Sequence, residues 1–251
     1  MIDIDSLLAA HRTLPRDTIM SADAGRMSYS QADALQTAWQ AARRDDATAA
    51  RDLILHVEHD PVVTITRRAD RAHLLWDADE RARRGLSLAD TDRGGDVTFH
   101  GPGQLVVWPL LDLRANRIGT AAYMHRLEAV VIDVLTGLGL AGAYADREMP
   151  GVWLPAASRA GSTGGAVPAA KVCAIGVRVS RGLTRHGVAL NHTIDLSWFD
   201  AIVPCGLPLP VTSVAERLGT DGAVPSRDDM IAMIDRAMAR AFGRHVTSSV
   251  R

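Results

Sequence analysis

The segment VPCGLPLP (203–210) sets Cys205 between a proline and a glycine, in a run too proline-rich for a helix or a central strand. The sequence therefore predicts a loop thiol. Such a thiol becomes a strong nucleophile when a nearby cation lowers its pKa from about 8.5 towards neutrality. The chain has 27 arginines and one lysine, Lys171. In an Arg- and Ala-rich chain that lysine is either a residue left by coding bias or a site needing an ammonium whose proton can be removed, which guanidinium cannot supply. Lys171 is one candidate partner for Cys205; His100, His186 and His192 are the competitors. The second cysteine, Cys173, lies in the apolar run VCAIGV and fits a small buried side chain.

RGGDVTFHGPG (93–103) holds five glycines or prolines in eleven residues. Glycines let backbone N–H groups approach a ligand closely, and Gly-Pro-Gly fixes a bend beside it. Neither G-x-G-x-x-G nor G-x-x-x-x-G-K-[ST] occurs in this loop, so a phosphate cradle is not indicated. Arg93 and His100 bracket it and could bind charge or move a proton. Metal binding has little support. His56 and His59, spaced i, i+3 on a predicted strand, point to opposite faces, and no Cys-x-x-Cys or His-Glu-x-x-His pattern is present.

The elements that must position these residues follow from periodicity. Helices are predicted over 28–44, with a Ser28/Gln31 capping box and an Ala32, Leu35, Trp39, Ala42 face, and over about 120–138, with Thr120 as cap. Two more are predicted at 212–219 and at 226–243, the last with a Ser226/Asp229 capping box and a Met230, Ile234, Met238, Phe242 face. A charged stretch, 77–86, has helical propensity. Strands are predicted at 52–59 and 61–66, paired across Asp60-Pro61, and at 87–92, 105–111 and 151–154. A further hairpin is predicted from 171–179 and 186–194 across Arg181-Gly182. The Gly/Pro-rich stretch 155–169 is read as a mobile hairpin loop. Without strict βαβ alternation, repeats or linkers, these elements imply one α/β domain of α+β type over 1–251, with a mixed sheet and packed helices.

Composition narrows the partners. A net charge of −1 and a pI near 6.8 argue against nucleic acid as the main partner. No apolar run approaches the roughly 20 residues that span a bilayer, and the N-terminus lacks an apolar signal core. Two cysteines suit a reducing compartment, so a cytoplasmic location is expected.

Three blocks carry a resemblance: RGGDVTFHGPGQLVVWPLLDL (93–113), AKVCAIGVRVSRGLTRHGVALN (170–191) and NHTIDLSWFDAIVPCG (191–206). In order and spacing they resemble the signature blocks of the lipoyl(octanoyl) transferases of the biotin/lipoyl protein ligase superfamily. The resemblance covers about 50–220. It implies a single catalytic domain like that of the biotin/lipoyl protein ligases, using no cofactor, metal or nucleotide. It also implies octanoyl transfer from octanoyl-acyl carrier protein to a lysine of a lipoyl carrier domain, through a thioester on the enzyme. The implied acceptors are the lipoyl domains of 2-oxoacid dehydrogenase E2 subunits and the glycine cleavage H protein, and the implied state is a monomer.

Carried over by position, Cys205 is the acyl acceptor and Lys171 its activator. The acyl pocket would use Arg93, Gly94, Gly95, Asp96, Val97, Thr98, Phe99 and His100, then Ala174, Ile175 and Gly176, then Gly187, Val188 and Ala189. Trp108 stands where a tyrosine is commoner, and the 155–169 loop is longer than the pattern. Acidic carriers would need a basic surface, for which Arg178, Arg181 and Arg185, or Arg81, Arg83 and Arg84, are candidates. Three rival readings stay open: an ATP-dependent lipoate or biotin ligase, an octanoyl amidotransferase between lipoyl domains, and a non-enzymatic acyl or carrier-binding module.

Overall fold

The computed structural model describes residues 14–15, 17–45, 51–156, 168–203, 210–219 and 222–248. Cys205 lies outside the described residues, as does most of the 155–169 loop. Eleven strands form two sheets among the described residues: β1 (Thr18–Met27), β2 (Leu53–His59), β3 (Val62–Thr66), β4 (Ser87–Thr91), β5 (Val97–His100), β6 (Gln104–Leu110), β7 (Tyr144–Ala145), β8 (Val152–Leu154), β9 (Ala170–Ser180), β10 (Leu183–Asn191) and β11 (His245–Ser248). The large sheet runs β11-β1-β2-β6-β10-β9-β8-β7, and the small one β4-β3-β5. Both mix parallel and antiparallel pairs, giving the expected mixed α/β fold.

Helices cover both faces of the large sheet. On one side lie α3 (Thr120–Gly137) and α5 (Arg227–Phe242), burying Leu127, Val131, Ile234 and Met238 against Ile54, Leu105, Val107 and Val188. On the other lies α1 (Tyr29–Asp45), whose Tyr29, Ala32 and Trp39 meet Leu55, Val57, Val106 and Trp108. The small sheet packs Val63, Val97 and Phe99 against Ile194 and Ile202, with Trp198 partly buried alongside. Two short helices, α2 (Ala78–Arg84) and α4 (Val214–Leu218), complete the set, each capped by a side chain of the preceding residue.

Both predicted capping boxes form. The Gln31 carboxamide accepts the Ser28 amide at 3.0 Å, and Asp229 and Ser226 cap α5 reciprocally. Thr120 is not a cap: Gly119 holds that position without a side-chain bond, and Thr120 is the first helical residue. The hairpin across Arg181-Gly182 forms as β9–β10, with Leu183 opposite Ser180.

One predicted pairing fails. Segments 52–59 and 61–66 are strands, but β2 pairs with β1 and β6 while β3 pairs with β4 and β5. Asp60-Pro61 carries the chain from one sheet to the other. The Asp60 amide is bound by the Met27 carbonyl, and the Pro61 carbonyl by the Ser87 amide, so a neighbour from each sheet claims each side of the turn. Within 93–103, read as loop, Val97–His100 is a strand.

Leu127 is 1% exposed in the layer between α3 and the sheet. Leu127→Ala is expected to lose about 2–5 kcal/mol of unfolding free energy. Chemical denaturation checks this; an unchanged midpoint and slope would show that this layer is not the stabilising core.

Candidate functional site

Lys171 is the second residue of β9, with its backbone bonded to a neighbouring segment. Its amide donates to the Pro210 carbonyl and its carbonyl accepts from the Thr212 amide, both at 2.9 Å. On the other side it stands opposite Trp153 of β8, at a register shift. The residue is 8% exposed; its ammonium donates to the Pro150 carbonyl at 3.1 Å and sits 4.9 Å from the centroid of the Trp153 ring. Gly151 makes room for it: at φ +136, a Cβ there would stand 2.5 Å from the Cys173 carbonyl and 3.3 Å from Lys171 Cε.

Pro150 also lines a cleft that opens to solvent. Its walls come from β9 and β10 of the large sheet, β5 of the small sheet and the loop before β5. Of the fourteen pocket residues expected from the sequence, all but Asp96 and Phe99 line this cleft. Asp96 instead pairs with His73 at 2.5 Å, and Phe99 stacks on Trp198 in the small sheet's core. Tyr29, Val106, Trp108, Pro150 and His186 also line it. Nothing in the local sequence pattern marks Tyr29 or Val106 for the cleft, because helix α1 and strand β6 arrive there only through the tertiary fold.

Glycines let the cleft walls close up. The Gly94 amide donates to the Val177 carbonyl at 3.0 Å, and a Cβ on Gly176 would stand 3.0 Å from the Gly94 carbonyl. A Cβ on Gly187 would stand 2.1 Å from the Val107 carbonyl. The Arg93 guanidinium bonds the hydroxyl and carbonyl of Thr64, so it anchors the loop to β3.

Tyr29, His100 and Trp108 of the cleft wall form an aromatic and imidazole cluster with His59. Tyr29 stacks on His100 at 6.2 Å between centroids and meets Trp108 edge-on at 5.9 Å; His59 packs against all three. Burial disfavours charge throughout it. The His59 pKa falls to about 4, His100 is driven well below the ordinary histidine value, and the Tyr29 phenol is pushed up to about 12, desolvation leading each time.

Neutral His100 donates through Nδ1 to the Gln104 carboxamide oxygen at 2.7 Å; Gln104 donates to Asn191, and Asn191 to the Thr212 carbonyl. His186, at φ +57 in β10, donates through Nε2 to Asp92 at 2.8 Å while Nδ1 accepts from Gln36 at 3.1 Å. That bond, then the nearby guanidiniums, hold Asp92 at about 2. His192 bonds the Pro225 carbonyl beside a separate hollow with Glu58 and Arg227. The three histidines weighed as thiol partners thus have ring nitrogens already engaged.

Cys173 is fully buried and burial pushes its thiol up to about 12, which suits wall and not nucleophile. His56 and His59 do point to opposite faces: His56 meets Asp235 of α5 at 2.9 Å, and His59 faces the cleft cluster. No cluster of potential metal ligands occurs among the described residues, and no helix there is long and apolar enough to cross a membrane. The arginines suggested as a docking surface are largely engaged. Arg185 bridges Asp33 and Asp92, Arg178 meets Asp92, Arg83 and Arg84 pair with Glu80, and Arg81 bonds the Trp76 carbonyl.

Comparison with known proteins follows the same lines. Residues 28–242 match the family model described as the lipoyl protein ligase A/B catalytic domain. Among curated proteins, the octanoyltransferase of Koribacter versatilis is 41% identical over 198 residues, covering 78% of this chain and 74% of that one. The octanoyltransferase of Solibacter usitatus is 40% identical over 218 residues, covering 87% and 90%. Among solved structures, a bi-partite lipoate protein ligase from Thermoplasma acidophilum superimposes with a TM-score of 0.66 at 16% identity, over 92% of this chain and 87% of that one. LipL1 of P. falciparum, solved with lipoate, gives 0.62 at 8% identity over 92% and 66%. At such identities the structural likeness speaks for the fold.

Acid should unfold the cleft cluster. Between pH 6.5 and about 4 the unfolded chain takes up a proton at His59 that the folded chain refuses. Stability is therefore full above pH 6.5 and falls by about 1.4 kcal/mol per pH unit below it for this group. His59→Phe should flatten the pH dependence of the denaturation free energy between pH 6.5 and 5; an unchanged slope would show that the buried imidazole does not set it.

Proposed function

Because the chain belongs to the lipoyl protein ligase A/B catalytic-domain family, we propose that it is an octanoyltransferase of protein lipoylation that works through a Cys205 thioester. The observation that carries this reading is the place of Lys171. The only lysine of the chain presents its ammonium to the Pro150 carbonyl, and Pro150 lines a cleft walled by small and apolar residues. Cys205 is assigned from Pro-Cys-Gly and the family pattern.

In the first half-reaction the Cys205 thiolate, stabilised by the Lys171 ammonium, attacks the thioester carbonyl of octanoyl-acyl carrier protein. A sulfur–carbon bond forms at Cys205, the carrier's carbon–sulfur bond breaks, and the carrier thiolate leaves with the proton of the Lys171 ammonium, which becomes a neutral amine. In the second, the neutral amine of an acceptor lysine attacks the enzyme thioester. The amide forms, Lys171 takes the amine's proton, and the Cys205 thiolate is released. Thioester to amide is downhill, so the cycle needs no ATP. The acceptors proposed are the lipoyl domains of 2-oxoacid dehydrogenase E2 subunits and the glycine cleavage H protein. The enzyme is proposed to act as a cytoplasmic monomer.

The cleft suits an acyl tail for a physical reason. Each methylene moved from water into apolar surroundings is worth about 0.8 kcal/mol, so an eight-carbon chain gains several kcal/mol in a slot bounded by Ala174, Ile175, Val188 and Ala189. The twelve expected residues that line the cleft are proposed as its acyl-binding wall. Asp96 and Phe99 support that wall from outside it.

Intact-mass spectrometry after incubation with octanoyl-acyl carrier protein, without ATP, tests the reading. Wild type should gain one octanoyl group removable by hydroxylamine, and Cys205→Ala none; an adduct that persists in Cys205→Ala would sink the thioester assignment. Lys171→Arg should lower turnover about 10²–10⁴-fold, the usual span for a lost acid–base group. Near-wild-type turnover would remove the proton-transfer role.

A further inference from the structure

We propose that Arg217 is the positioning residue for Lys171: one guanidinium gathers the three chain segments that carry, face and brace that lysine. The inference rests on Lys171 being the working acid–base group, but its test reads the lysine itself.

Arg217 projects from α4, and its donors go to three neutral oxygens on three different segments. Nη1 donates to the Pro155 carbonyl at 3.0 Å, Nη2 to the Pro168 carbonyl at 2.7 Å, and Nε to the Thr212 hydroxyl at 3.1 Å. Each acceptor sits beside Lys171 in the fold. Pro155 follows β8, whose Trp153 ring lies under the ammonium. Pro168 stands two residues before β9, whose second residue is Lys171. Thr212 gives its amide to the Lys171 carbonyl at 2.9 Å.

The Thr212 node is closed from other directions as well. Its carbonyl accepts from Asn191, its hydroxyl bonds Glu216 at 2.5 Å, and it is 0% exposed. Asn191 receives the Gln104 bond that starts at His100 on the cleft wall. A continuous chain of side-chain and main-chain bonds therefore runs from cleft wall to Lys171, and Arg217 fastens it from the far side.

The shape of the group matters more than its charge. A planar fork can satisfy three divergent carbonyl and hydroxyl acceptors at fixed directions, whereas a lysine ammonium on a flexible stem cannot span them. Losing the fork removes the side-chain tie that reinforces the backbone bonds among β8, β9 and the 210–212 segment, where the ammonium is held between the Pro150 carbonyl and the Trp153 ring. Small misplacements of a reacting group cost about 10²-fold in rate.

With only one lysine in the sequence, protein labelled with ¹³C at lysine Cε gives a single signal, whose pH titration reports the Lys171 ammonium directly. Arg217→Ala should move that signal and alter its titration, because the ammonium is displaced from the Pro150 carbonyl and the Trp153 ring. It should also lower kcat about 10- to 100-fold, leaving the KM for the acyl donor within about twofold. Arg217→Lys should not rescue either property. Arg240→Ala, which removes an exposed pair with Asp133, should leave the signal in place.

If Arg217→Ala does not fold, Thr212→Val removes the hydroxyl acceptor at nearly constant volume and should shift the signal in the same direction by less. A folded Arg217→Ala or Thr212→Val protein with an unchanged Lys171 titration would overturn the proposal, as would full rescue by Arg217→Lys. A shifted titration in a protein that forms no octanoyl adduct would uphold the positioning role and reject the proposed thioester chemistry.

Discussion

The burial of one ammonium constrains the rest of this structure. Moving a charged amine out of water is costly unless the fold supplies fixed partners. Here it supplies a carbonyl acceptor from Pro150 and the face of the Trp153 ring. Those partners require the turn at Pro150-Gly151 to run against β9, which a side chain at position 151 would prevent. They also require Lys171 to be braced on its other edge by Pro210 and Thr212, the first described residues after the Pro-Cys-Gly segment. The residues that hold the lysine and the 210–212 segment are therefore one hydrogen-bonded unit.

The cleft beside it is lined largely by apolar groups and peptide backbone. Two sheets meet there, and glycines at 94, 176 and 187 let backbone approach backbone, so the walls are carbon and peptide with few charged tips. The polar groups that remain are kept neutral or paired. His59 and His100 are held uncharged by burial, and His186 is locked between Asp92 and Gln36. Arg93, the cationic side chain of the cleft loop, is turned to Thr64. This leaves a largely apolar slot walled in part by Pro150, whose carbonyl holds Lys171, and by a neutral aromatic cluster.

Much of this was legible in the sequence where a local signal exists. The helices announced themselves by capping boxes and 3.6-residue stripes, and β9–β10 by an apolar run folded at Arg181-Gly182. The cleft residues followed from glycine-rich blocks and a family pattern. What escaped depends on tertiary context. TIMSADAGRM has too many small and polar residues to read as a strand, yet β1 lies between β2 and β11 in parallel pairing and is largely buried. Asp60-Pro61 has the local grammar of a hairpin turn, but Met27 and Ser87, distant in sequence, claim its two sides. Asp96 and Phe99 share the block that lines the cleft and still face away, because each has a stronger partner, His73 and Trp198. Arg217 carries no motif at all; its importance lies in three acceptors separated by up to 57 positions in the chain, from Pro155 to Thr212.

Lys171 and Cys205 are proposed to act together beside this cleft. A crystal structure of the enzyme trapped as its octanoyl thioester tests this pairing most directly. The acyl chain should lie between β5 and β9–β10, with the Lys171 ammonium within about 3.5 Å of the thioester sulfur or carbonyl oxygen. An acyl chain lodged elsewhere, or a lysine far beyond hydrogen-bond reach of the thioester, would contradict it.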